Sequence, residues 1–120
     1  MARAIAFVPD LLFGSNVVGM LQAAGHEPVL VSSGDQLAGA LTDADVVIVD
    51  LTADARNRIE IVKRALGDNP VPTLAFFSHV EHDVRAEAER AGFELVVPRS
   101  RMARAGGDLV SQLAREESAS

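Results

Sequence analysis

Four side chains able to do chemistry each follow an apolar run: Asp10 after 4–8, Asp50 after 46–49, Ser78 after 74–77 and Arg99 after 95–97. Two carboxylates, a hydroxyl and a guanidinium gathered at one place could hold a hard cation, receive and steady a phosphoryl group, or lock into an ion pair. Plainer roles compete with each of these. Asp10 and Asp50 are also good helix N-caps, and a Ser at a strand end commonly caps the helix that follows. Arg99 at such an edge relieves the repulsion that neighbouring acids would otherwise feel. His79 and His82 flank Val80-Glu81 and suggest zinc. That metal needs a third and usually a fourth ligand, and Glu81 and Asp83 point elsewhere if a helix begins there, so polar helix-start residues are the ordinary account. His26, after Gly25, reads as a turn residue, and Gly14-Ser15-Asn16 matches neither a P-loop nor a GxGxxG pattern.

The elements that must position these groups are legible in the hydrophobic pattern. Strand-length runs at 4–8, 29–31, 46–49, 74–77 and 95–97 are nearly continuous in apolar residues. That pattern suits a parallel sheet with helices on both faces. Between the runs, apolar residues recur at helical spacing. A first helix over 15–24 carries Val17, Leu21 and Ala24 and ends at Gly25. A weaker one over 35–41 has Gly39 inside it, and a third over 55–66 stops at Gly67-Asp68-Asn69-Pro70. The last two are expected over 81–91, ending at Gly92, and over 108–117 with Asp108 as N-cap. The order βαβαβαβαβα with right-handed crossovers predicts an α/β protein, a three-layer (βα)5 sandwich of flavodoxin-like topology with strand order 2-1-3-4-5. Ligand chemistry in such sheets collects at the carboxyl ends of the strands, where Asp10, Asp50, Ser78 and Arg99 all fall. One domain is expected over 1–115, with a polar tail at 116–120.

Composition narrows the classes of function. At 120 residues, 48% hydrophobic and 23% charged, the chain can build one ordinary core. The 4% aromatic content is all Phe, which leaves little for an aromatic ligand sandwich. A net charge of -6 with scattered basic residues, apart from Arg99, Arg101 and Arg104, argues against nucleic-acid binding. Without Cys there are no disulfides, thiolate catalysis or cysteine-held metal, which fits a reducing cytoplasm. No segment approaches the roughly 18 apolar residues of a membrane span. The N-terminal run is too short for a signal peptide and is interrupted by Pro9-Asp10, so a cytoplasmic location is expected.

Three segments carry a resemblance to the receiver domains of bacterial response regulators. Asp45-Val46-Val47-Ile48-Val49-Asp50 resembles the strand that ends in their phosphoaccepting aspartate, and Thr73-Leu74-Ala75-Phe76-Phe77-Ser78 the strand that ends in Thr or Ser. Ala91-Gly92-Phe93-Glu94-Leu95-Val96-Val97-Pro98-Arg99 resembles the segment reaching their invariant lysine. The resemblance implies Asp50 as phosphoacceptor, Ser78 and Arg99 as switch and phosphate contacts, and a Mg²⁺ site at Asp10 and Asp50. The departures fall on that chemistry. Pro9-Asp10-Leu11 supplies one acid where receivers usually carry two, so Mg²⁺ would be held weakly unless Asp54 helps. Arg99 stands in place of lysine and can clamp a carboxylate bidentately, and Lys63 is the one lysine in the chain. The loop after Asp50 lacks the Pro and Gly common there.

These departures predict an atypical or pseudo-receiver. It would be a stand-alone, non-enzymatic signalling module working through a protein partner, a kinase or downstream target, with Arg99 in a standing ion pair with Asp50. A conventional phosphorylatable single-domain regulator is the first alternative, and a small-molecule-binding flavodoxin-like domain the second. The second has no cofactor motif behind it: after Asp10 the cobalamin pattern Asp-x-His-x-x-Gly finds Leu12 and Ser15. Homodimerisation through the fourth helix, fifth strand and fifth helix is what the resemblance implies, and Phe13, Val17, Met20 and Met102 are candidate contact residues if exposed.

Overall fold

The runs of Val, Ile, Leu and Phe form strands because β-branched and aromatic side chains pack well on a pleated surface covered on both sides. The computed structural model describes residues 2–78 and 82–119. Along the chain come β1 (Arg3–Phe7), α1 (Leu11–Ala23), β2 (Glu27–Val31), α2 (Gly34–Ala40), β3 (Val46–Asp50) and α3 (Ala55–Leu66). Then follow β4 (Thr73–Phe77), α4 (His82–Arg90), β5 (Leu95–Pro98) and α5 (Arg99–Ala119), and a 3₁₀ turn at Leu41–Asp43 sits between α2 and β3. All five strands pair in parallel in the order β2-β1-β3-β4-β5, as the alternation of elements predicts.

Strand periodicity divides the core into two layers. Ala4, Ala6, Val8, Val46, Ile48 and Phe76 pack on one face with Val17 and Leu21 of α1 and Met102, Leu109 and Val110 of α5. Ile5, Phe7, Val47, Val49 and Phe77 face the other way, against Leu37 of α2, Ile59 and Val62 of α3 and Ala88 of α4. Nearly all are fully buried, so the sheet fixes the rim on which the polar groups stand.

Two helix starts differ from the sequence expectation. α1 begins at Leu11 rather than at residue 15, because Asp10 caps it: its Oδ1 accepts the Phe13 amide at 2.9 Å. α5 begins at Arg99, directly after β5, rather than at 108, and Asp108 is an exposed position inside it instead of its N-cap. A Gly-Gly pair before an Asp has the look of a helix boundary. Here Gly106 and Gly107 stay helical because α1 lies against them: a Cβ on Gly107 would stand 2.5 Å from the Ala24 Cβ, and one on Gly106 2.6 Å from the Met20 Cε. α5 also runs on to Ala119, through most of the expected polar tail.

His26 is more than a turn residue. It is buried, its Nδ1 accepts the Ala2 amide at 3.1 Å, and its Nε2 lies 3.0 Å from both the Gly107 carbonyl and the Ser111 hydroxyl. An acceptor role at Nδ1 leaves the ring hydrogen on Nε2. The imidazole thus ties the start of the sheet to α5 at the end of the molecule opposite the rim.

Candidate functional site

Asp50 ends β3 and is 2% exposed. Its Oδ1 accepts the Thr52 amide at 2.8 Å and the Thr52 hydroxyl at 2.6 Å, an Asx-type turn that closes the strand end. Its Oδ2 lies 3.3 Å from Nη1 of Arg58, and the same Nη1 donates to the Asp50 carbonyl at 3.0 Å. Arg58 is itself largely buried, with 15% of its side chain exposed. Both carboxylate oxygens are therefore engaged from within the chain, Oδ1 by Thr52 and Oδ2 by Arg58.

The ion pair expected between Asp50 and Arg99 is made by Arg58 instead. The helix geometry explains why: the turn after β3 brings the first turn of α3 back over the strand end, within reach of a long side chain. A signal for this was present in the sequence. The first turn of α3 carries Arg56 and Arg58 and no acid, which opposes the helix dipole unless each arginine has a partner. Each has one, Arg56 on Glu87 at 2.9 Å and Arg58 on Asp50.

The remaining three sequence-predicted residues do come together. Asp10, Ser78 and Arg99 line one open hollow of about 580 Å³ with Leu12, Phe13, Asn16, Ser100 and Ala103. Asp50 is not among its walls. Arg99 lies with its guanidinium carbon 5.7 Å from the centroid of the Phe13 ring, and Phe13 in turn packs against Phe76 of the core at 5.0 Å. Among the described residues Arg99 forms no ion pair. The rim is thus split into a closed acid on the α3 side and an open cation on the α1–α5 side.

The acids that would hold Mg²⁺ are partly engaged within the chain. Oδ1 of Asp10 is used by the α1 cap, both oxygens of Asp50 are engaged as above, and Asp54 Oδ2 accepts from the Asn57 side-chain Nδ2 at 3.1 Å. No group of three or more acids or histidines among the described residues is arranged to hold a metal ion. Of the histidine pair considered for zinc, His79 lies outside the described residues, and His82 is described only as the start of α4. No helix among the described residues is long and apolar enough to cross a membrane.

No protein-family model matches the sequence, and no curated protein does. Solved structures match over almost the whole chain. A response regulator receiver domain protein from Clostridium thermocellum superposes with a TM-score of 0.85 at 15% identity, covering 98% of both chains. The receiver domain of the Francisella response regulator 1452 gives 0.82 at 12% identity, covering 98% of this chain and 99% of the other. The beryllofluoride-activated DrrB receiver domain gives 0.79 at 14%, covering 96% and 98%. Identities this low speak to architecture alone. With TM-scores of 0.79 to 0.85 and near-complete mutual coverage, this chain has the fold of response-regulator receiver domains.

Proposed function

We propose that the chain is a receiver-like signalling module that acts through protein–protein contact and does not depend on phosphorylation of Asp50. The observation that carries this is the Arg58–Asp50 pair. A carboxylate that is to attack a phosphorus needs a free oxygen facing the donor, and a divalent ion beside it to offset the charge of the incoming group. In this reading Asp50 offers neither, since Thr52 and Arg58 engage its oxygens, Asp10 caps α1 and Asp54 accepts from the Asn57 side chain. In this reading Arg58 supplies permanently the positive contact that a phosphoryl-bound metal would otherwise supply, and the rim stays in one state.

Incubation with acetyl phosphate and Mg²⁺, followed by intact mass spectrometry, tests the proposal. The expected spectrum is that of the unmodified chain, under conditions that label a conventional receiver run alongside. A stoichiometric phosphoryl adduct that disappears in Asp50→Asn would restore the phosphorelay reading.

A further inference from the structure

The open half of the rim continues into a second hollow. A slot of about 190 Å³ runs down the seam between α1 and α5, sharing Phe13, Asn16 and Ala103 with the larger one and adding Val17, Met20 and Met102. The upper chamber presents a guanidinium with no carboxylate partner among the described residues, the hydroxyls of Ser78 and Ser100 and the Asn16 amide. It also lies at the start of a 21-residue helix, whose first amides favour negative charge. The lower chamber is lined by aliphatic and thioether groups. Leu12 at the wall of the upper chamber is 76% exposed and its neighbour Leu11 80%, while the other large apolar side chains among the described residues, Leu30 apart, are buried or half-buried.

We propose that this seam binds a small amphiphilic anion, a carboxylate or phosphate head on a short unbranched apolar chain. The head meets Arg99 and the serine hydroxyls, and the chain lies in the slot between Val17, Met20 and Met102. Among the described residues Asp10 is the one carboxylate lining the chamber, and its Oδ1 accepts the Phe13 amide. Its charge favours the singly charged carboxylate head over the phosphate, which carries nearly two charges at neutral pH. Nucleotide bases are disfavoured too, because the Phe13 face they would stack on is covered by Arg99. The slot depends on Gly106: a side chain there would push the Met20 thioether, whose Cε would be 2.6 Å away. Methionine suits such a wall because it adapts to chains of different length. The site makes no use of Asp50, so it stands whether or not that residue accepts a phosphoryl group.

Calorimetry and ¹H–¹⁵N NMR titration of the full chain with the series from butanoate to octanoate test this. Octyl phosphate, acetate, inorganic phosphate and octanol serve as the other head, the heads alone and the tail alone. Affinity is expected to rise about threefold to fourfold per added methylene until the slot is full, with shifts at Met20, Arg99, Ser100 and Met102. Octanoate against octyl phosphate identifies the preferred head. Arg99→Gln should weaken octanoate by roughly tenfold, and Arg99→Lys should recover part of that loss. Ala103→Leu, at an exposed position lining both chambers, should weaken octanoate far more than it weakens acetate. Affinity independent of chain length would overturn the proposal, as would octanol binding as well as octanoate, or a response that neither variant alters. Binding of a peptide with a carboxylate and apolar flanks, without binding of any free alkyl anion, would replace the small ligand by a protein segment and equally overturn it.

Discussion

Asp50 and Arg58 form a unit in which each makes the other's burial tolerable. A carboxylate 2% exposed is stable there only while its oxygens are hydrogen-bonded and its charge is paired. Removing either partner strands the other, so Asp50→Asn and Arg58→Gln should each lower the unfolding free energy by about 3 kcal/mol. The double variant should recover part of that, with a coupling energy of roughly 1–3 kcal/mol in a urea-denaturation cycle. Losses of a few tenths, typical of an exposed pair, would mean that the contact carries little. The same site marks what could and could not be read from the chain. Asp50 is legible as an acid closing an apolar strand. Its partner is only hinted at, by an acid-free helix start carrying Arg56 and Arg58, and the path of the turn after β3 is what selects Arg58 over Arg99. His26 was hidden for a similar reason: its hydrogen-bond partners, Ala2, Gly107 and Ser111, come together only across the folded sheet.

Helices α1 and α5 show two uses of glycine. Gly19 of α1 has nothing within 4 Å of where a Cβ would stand, and it costs the helix backbone entropy without a packing return. Gly19→Ala should therefore stabilise the protein by roughly 0.5–1 kcal/mol. Gly107→Ala gains the same propensity but drives a methyl to 2.5 Å from the Ala24 Cβ. Overpacking of that kind costs typically about 1–3 kcal/mol, so the net change should be destabilising. Thermal melts of the two variants should move in opposite directions; movement together would show that α1 and α5 are not closely packed. This close approach is also why the start of α5 escaped the sequence. Periodicity located the apolar face at Leu109, Val110 and Leu113, but not the long first half of the helix, where small residues replace apolar ones so that two backbones can meet. The strands had no such ambiguity, since uninterrupted Val, Ile and Leu runs between turn residues leave few other assignments.

For the whole molecule, the order of elements was enough to place every strand, because crossover handedness leaves few arrangements for five βα units. It was also enough to place four functional groups on one rim. It was not enough to say that the rim divides, with Asp50 sealed beneath α3 and Asp10, Ser78 and Arg99 opening between α1 and α5. The face formed by α4, β5 and α5, implied by resemblance for homodimerisation, has no large apolar side chain exposed among the described residues, and the chain carries a net charge of -6. Both features oppose self-association through that face, so light scattering at low and high concentration should give the monomer mass throughout. A mass that doubles with concentration would put a dimer back on that surface. The most direct test of the closed acid is a ¹H–¹⁵N NMR titration with beryllofluoride and Mg²⁺, which assemble on an accessible phosphoacceptor without a phosphodonor. The wild-type spectrum should stay unchanged at Thr52, Arg58 and Ser78. A new set of peaks at those residues in slow exchange, lost in Asp50→Asn, would contradict it.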